Sequence, residues 1–134
     1  MAGEAAITQE QRGQYECVVC RNLLTSAEPW IHSDATHFIS TMGGNGPRGT
    51  PTIANGYVYT IGATGFFNCI DGATRKSIFT RNIQRDHEAE NVYHGVCASP
   101  LVLGDSSDSL VLVCPTGEDG RSLAAYRNGE LLKA

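Results

Sequence analysis

Apolar residues along the chain come in short bursts rather than in a helical stripe. CVVC (17–20), YVYTI (57–61), FFNCI (66–70), SPLVL (99–103), LVLVC (110–114) and SLAAY (122–126) are rich in β-branched or aromatic residues and bounded by turn formers. Such bursts predict strands. Asn55-Gly56 joins residues 52–54 to 57–61 with a two-residue hairpin signal, and Ala63-Thr64-Gly65 makes the next tight turn. Gly104 to Asp108 supplies a longer loop and Thr116 to Gly120 another turn cluster. Residues 33–49 and 84–95 are polar or Gly-rich and read as longer connections. No stretch of ten or more residues keeps a helical period, and no composition shift marks a domain boundary.

Comparing the chain with itself turns this strand list into an architecture. CRNLLTSAEPW at 20–30 lies over CIDGATRKSIF at 69–79, so that Cys20 meets Cys69, Asn22 meets Asp71, Thr25 meets Thr74 and Trp30 meets Phe79, each 49 residues on. Thr50-Pro51 returns as Ser99-Pro100 at the same offset. Each unit runs Thr/Ser-Pro strand, hairpin, second strand, Gly-containing turn, third strand, polar turn, and a fourth strand closing on an aromatic. Residues 52–54, 57–61, 66–71 and 76–81 fill one unit; 99–103, 110–114, 122–127 and 130–133 fill the next. An earlier unit has its third and fourth strands at 17–22 and 28–32 and its second at 5–8, with no room for a first. Four antiparallel strands per unit of roughly 40–50 residues is the signature of a propeller blade. The expected fold is therefore all-β, an incomplete β-propeller of nearly three four-stranded blades. Residues 1–134 form one partial propeller: a partial blade at 5–32, a second at 50–83 and a third at 98–134.

These units resemble the repeat of the quinoprotein-like (pyrroloquinoline-quinone-type) β-propellers, whose pattern A-x-D-x-x-T-G-K-x-x-W ends the blade. Cys69, Asp71, Thr74, Lys76 and Phe79 occupy that frame, as do Cys20, Asn22, Thr25 and Trp30. TQEQRG and GGNGPRGTPTI also look like stretches of the bacterial members. The resemblance covers about residues 7–132. It implies that the terminal aromatic packs between neighbouring blades and that a Gly makes the turn. This chain has Ser26 and Arg75 at the Gly position and Phe79 at one Trp position. The third copy, Ala125 to Glu130, has a shortened turn and no terminal Trp. Elementary physics asks for the same residue types: one blade cannot bury both faces of its sheet, an aromatic at its end fills space against the next, and Asp or Asn with Thr can bond the turn backbone.

Composition narrows the function. The chain of 134 residues is 41% hydrophobic and 18% charged, a globular balance. A formal net charge of −4 disfavours nucleic acid as partner. No apolar run reaches the roughly 18 residues of a membrane helix, so no membrane span is expected. The first residues have neither a basic start nor an apolar core and do not read as a signal peptide. By resemblance the compartment would be periplasm or cell envelope. The 5 cysteines are odd in number and spaced unlike a disulfide framework, which predicts mostly free thiols in strands.

The candidate chemistry reads as structural. Cys17-x-x-Cys20 suggests zinc, but residues three apart in a strand point to opposite faces and there is no second pair. Asp86-His87-Glu88 with His94 could gather a metal or an acid–base pair, yet such a run is ordinarily solvated; His32 and His37 lack companions at ligand spacing. Gly43 to Arg48 has the look of a phosphate loop without its Lys-Ser/Thr ending or a following helix; Arg48 could hold an anionic ligand or a carboxylate of a neighbouring blade, and the second is the better reading. Ser99, Ser122 and Cys97 lie in or beside strands without a nucleophile elbow. No catalytic, cofactor-binding or metal-binding residue is therefore assigned.

Two functions remain. One is a non-catalytic propeller module, a scaffold or protein-interaction segment of a larger propeller, binding a protein partner or itself through exposed blade edges. The other, carried by family resemblance, is a fragment of a quinone-dependent alcohol or sugar dehydrogenase, with the quinone on the propeller axis beside a Ca²⁺. Propellers close with about four to eight blades, and fewer than three cannot enclose an axial cofactor. The adjacent cysteine pair of the enzyme family has no counterpart here. Both points favour the module, with no cofactor.

Overall fold

The computed structural model describes residues 5–36, 49–83, 99–104, 110–114, 124–127 and 130–133. Among these residues eleven strands run in chain order: β1 Ala5–Arg12, β2 Tyr15–Asn22, β3 Trp30–Asp34, β4 Thr52–Ala54, β5 Tyr57–Ile61, β6 Phe66–Asp71, β7 Ser77–Asn82, β8 Leu101–Leu103, β9 Leu110–Val113, β10 Ala124–Arg127 and β11 Glu130–Lys133. They form three antiparallel meanders: sheet 1 (β1-β2-β3), sheet 2 (β4-β5-β6-β7) and sheet 3 (β8-β9-β10-β11). The all-β class and strand order match the expectation from sequence. The candidate residues at 37, 48, 86–88, 94, 97 and 122 lie outside the described residues.

Local chemistry sets the turns. Asn55 and Gly56 both have positive φ, 55° and 81°, as the tight hairpin between β4 and β5 requires. Sheet 1 differs from the sequence reading. Strand β1 extends to Arg12 and β2 starts at Tyr15, joined through Gly13, whose φ is 59°. The polar run TQEQR reads poorly as a strand, yet it alternates strictly. Ile7, Gln9 and Gln11 share one face through their pairing with Cys20, Val18 and Glu16. Thr8, Glu10 and Arg12 share the other, where Arg12 and Arg21 bind Glu10 and Glu28 at 2.6–3.1 Å. The fourth strands also begin later than expected, at Trp30 and Ser77.

The sheets stack face to face. Tyr59, Ile61, Phe67 and Cys69 of sheet 2, with Ile83, pack on Val111, Val113, Ala124 and Tyr126 of sheet 3. Phe67 sits edge-on to Phe79 and to Tyr126, with ring centroids 5.2 and 5.3 Å away. On its other face sheet 2 presents Val58, Ile70 and Ile53 to Val18, Ile7 and Trp30 of sheet 1. The first strands of successive units lie side by side. Between sheets 2 and 3, Thr52 Oγ1 donates to Pro100 O at 2.6 Å and Thr50 N to Ser99 Oγ at 2.8 Å; from sheet 1, Gln9 Nε2 in β1 donates to Gly49 O, ahead of β4, at 3.0 Å. Meanders stacked face on face with first strands adjacent are the arrangement of propeller blades.

Candidate functional site

Two sets of side chains bear on function: the recurring turn-and-aromatic pattern, and a polar cluster between sheets 1 and 2.

The recurring pattern is structural in both copies. Asn22 Oδ1 accepts from the backbone N–H of Leu24 and Thr25 at 2.9 and 3.0 Å. Asp71 Oδ1 accepts from Ala73 and Thr74 at 2.9 and 3.1 Å. These amides hold the Asp71 carboxyl below its ordinary value. Thr25 and Thr74 hydroxyls accept from the N–H of Ala27 and Lys76. Ser26 and Arg75 occupy the Gly position, and both are left-handed, with φ of 60° and 69°. The geometry that the Gly would serve is thus kept without it.

The aromatics that close each unit stand opposite the small residues that open it. Cys20 pairs with Trp30 across β2 and β3, and Cys69 with Phe79 across β6 and β7. A small residue leaves room for the ring on the same face. Trp30 is half-buried and lines an apolar cavity of ≈ 330 Å³ with Ala5, Ile7, Cys20, Ile53 and Val58. Phe79 packs instead on the tighter core between sheets 2 and 3.

The polar cluster joins sheet 1 to sheet 2. Glu16, only 3% exposed, turns toward sheet 2. Its Oε2 accepts from Ala63 N at 2.9 Å and its Oε1 from the Thr64 hydroxyl at 3.3 Å. A Cβ on Gly62 would lie 2.5 Å from Glu16 Oε1, so the carboxylate needs a glycine there. Burial pushes the Glu16 carboxyl above its ordinary value, against the two donors, and nearby Asp34 adds to the rise. Asp34 Oδ2 accepts from Asn68 Nδ2 at 2.7 Å, and Asn68 Oδ1 accepts from Thr80 at 2.8 Å. His32 Nε2 lies 3.2 Å from Asp34 Oδ1, and this contact raises the imidazole's pKa. Thr36 and Thr64 hydroxyls meet at 2.9 Å. Next to Asn68 in the sheet, Thr60 Oγ1 is buried with no hydrogen-bond partner.

Sequence reasoning passed over Glu16, Asp34, Asn68 and Thr64 because none falls in the recurring frame. A usable signal was present: Glu16 opens the otherwise apolar strand ECVVC, where a carboxylate requires a partner.

The cysteines behave as packing residues. Cys17, Cys20, Cys69 and Cys114 are free, and only Cys114 among them is exposed. Cys17 and Cys20 face opposite sides of β2: Cys17 Sγ is 3.4 Å from Ser33 Oγ, while Cys20 lines the Trp30 cavity. Burial pushes the Cys69 thiol up to about 11, which leaves it almost wholly protonated at neutral pH. Ser99 lends its hydroxyl to Thr50 N and holds the first strands together.

Among the described residues no three His, Cys, Asp or Glu side chains converge where a metal ion could sit. Among the described residues the carboxylates of Glu10 and Glu28 are engaged by arginines, that of Asp71 by turn amides, and those of Glu16 and Asp34 by donors of sheet 2. No described helix is long and apolar enough to cross a membrane.

No protein-family model matches the chain, and no curated protein matches it in sequence. Among solved structures it is similar to a europium-containing methanol dehydrogenase, at 15% identity and a TM-score of 0.47, over 77% of this chain and 15% of that one. It is also similar to BamB from Moraxella catarrhalis, at 13% identity and a TM-score of 0.44, over 99% of this chain and 50% of that one. The chain therefore spans half or less of the length of either protein.

Proposed function

We propose that the chain is a non-catalytic quinoprotein-like propeller module, a scaffold or protein-interaction segment of a larger propeller. One observation carries the reading. The carboxylates best placed for chemistry, Glu16 and Asp34, are bound by donors of the neighbouring sheet and serve to hold one blade on the next. The recurring Asn/Asp, Thr and aromatic residues are likewise engaged in turns and packing.

The competing reading, a piece of a quinone-dependent alcohol or sugar dehydrogenase, requires the chain to hold pyrroloquinoline quinone with Ca²⁺. The two are separated by incubating the chain with both, removing free quinone and recording the absorption spectrum, then adding an alcohol or aldose with an electron-accepting dye. The module reading expects no retained chromophore and no dye reduction. A stoichiometric chromophore with substrate-dependent dye reduction would sink it.

A further inference from the structure

The contact between sheets 1 and 2 encloses a cavity of ≈ 330 Å³. Sheet 1 lines it with Ala5, Ile7, Cys20 and Trp30, and sheet 2 with Ile53 and Val58. Its mouth is formed by exposed turns: Gly56 of the β4–β5 hairpin, and Gly72 and Ala73 after β6. Gly72 N donates to Gly56 O at 2.9 Å, which ties the two turns together. A Cβ on Gly72 would stand 3.0 Å from that oxygen, and Gly56 has a φ of 81°. The turns therefore call for both glycines, and the mouth stays clear of side chains there.

The repeat frame does not by itself leave this space. At the fixed offset of 49 residues, Ala5, Cys20, Trp30 and Ile53 correspond to Ala54, Cys69, Phe79 and Val102. Cys69 belongs to the core between sheets 2 and 3, and the other three pack against it. Protein interiors are close-packed, and an open void leaves its lining without dispersion partners. A cavity held open where the corresponding residues pack together reaches the lower end of the range of small-molecule sites, about 300–1,000 Å³.

The lining decides the class of ligand. None of the nine lining residues is charged. At the mouth, Gly72 N is taken by Gly56 O and Ala73 N by Asp71 Oδ1. An ionic or strongly polar molecule would give up its hydration there with no partner in return. A neutral apolar molecule gives up little, and a dry apolar cavity of about 150 Å³ is enough to take benzene. The indole of Trp30 adds a preference for an aromatic guest, since rings pack offset or edge-on with centroids about 4.5–7 Å apart.

We infer that the cavity between sheets 1 and 2 is a binding site for a neutral aromatic molecule of one or two rings, held against Trp30. The inference goes beyond the module reading and does not depend on it, since it concerns only the contact of two sheets.

Trp30 is the chain's single tryptophan, so its fluorescence reports on this cavity alone. Bromobenzene titrated into the 134-residue chain should quench it saturably, with a Kd on the order of 0.1–1 mM for so few atoms. 4-Bromobenzoate, the same ring with a carboxylate, should bind at least about tenfold more weakly. Ala5→Leu extends a side chain into the cavity from the face of β1 that carries Ile7. It should weaken bromobenzene at least about tenfold, while Leu24→Ala, in an exposed turn outside the cavity, leaves binding unchanged. In the wild type, bromobenzene should shift the methyl NMR signals of Ile53 and Val58 and leave those of Val111 and Val113 in place, a readout that stands even if Ala5→Leu does not fold. Quenching that rises without saturation, equal binding of the benzoate, undiminished binding by Ala5→Leu, or shifts centred on Val111 and Val113 would each overturn the inference.

Discussion

The contact of sheet 1 with sheet 2 and that of sheet 2 with sheet 3 share one repeat frame but are filled by different chemistry. Between sheets 2 and 3 the space is aromatic and aliphatic: Phe67, Tyr126, Ile61 and Ile83 are fully buried, and Phe67 is held edge-on between two rings. Between sheets 1 and 2 a carboxylate reaches the turn after β5, an Asp–Asn–Thr chain crosses the gap, and Trp30 leaves an open cavity beside it. Apolar filling is non-directional and tolerates sliding of one sheet on another. The polar bonds fix relative position but must offset the desolvation of every group they bury. Both contacts supply adhesion, since Val18, Val58 and Ile70 are buried between sheets 1 and 2 as well, but only the polar one adds register.

That contrast is sharpest where a large side chain is removed from each side. Phe67→Ala should cost about 3–5 kcal/mol, the usual price of deleting a buried aromatic. Trp30→Ala should cost less, about 1–2 kcal/mol, because the ring already borders an open cavity and buries only part of its area. Urea denaturation of both variants measures the gap. Equal losses would mean that the Trp30 contact is as dry as the Phe67 contact and would erase the distinction.

Glu16 tests the polar contact. Glu16→Ala leaves Ala63 N–H without its acceptor and should cost about 1–3 kcal/mol. Glu16→Gln keeps an acceptor and removes the charge. The folded pKa of Glu16 is raised, so its contribution is fully present below the ordinary carboxylate value and lost as pH rises through the folded value. Glu28 behaves oppositely. Bonds from Arg12 and Arg21 pull it down to about 2, so its contribution is present above the ordinary value and lost as pH falls toward 2. Melts at a series of pH values should show Glu16→Gln gaining on the wild type as pH rises from acid to neutral, and Glu28→Gln gaining as pH falls. Parallel pH curves for Glu16→Gln and wild type would show that Glu16 titrates alike in the folded and unfolded chain.

These two predictions also mark what was legible in the sequence. Strand order, the Asn55-Gly56 hairpin and the correspondence of Cys20 with Cys69 and of Trp30 with Phe79 follow from local periodicity and a fixed offset, both printed in one dimension. Glu16 and Asp34 find their partners in a different sheet, at separations that no local window spans. The β1 extension through TQEQR was hidden for another reason. Its polar alternation is stabilised by ion pairs to Arg21 and Glu28, outside the strand itself.

Thr60 supplies a smaller effect of opposite sign. Its hydroxyl is buried beside Asn68 without a partner. Thr60→Val keeps the shape and removes the unsatisfied oxygen, so the variant should be more stable by about 1 kcal/mol. Among the described residues the apolar core against sheet 3 has no such unsatisfied group. A loss on Thr60→Val would show that the hydroxyl takes part in the polar contact.

The smallest expected effect lies in the turns that both contacts depend on. Ser26 and Arg75 hold left-handed backbone with a side chain attached, which costs an L-residue about 1–2 kcal/mol relative to its preferred wells. Glycine removes that strain but adds about 0.5–1 kcal/mol of unfolded-chain entropy. Ser26→Gly and Arg75→Gly should therefore each stabilise by about 0.5–1 kcal/mol. The two should agree closely, because Asn22 and Asp71 fold the same turn with the same bonds to residues two and three further on. A gain at one turn with a loss at the other would show that the repeats are equivalent in shape but not in strain, and that the difference between the two contacts reaches the turns as well.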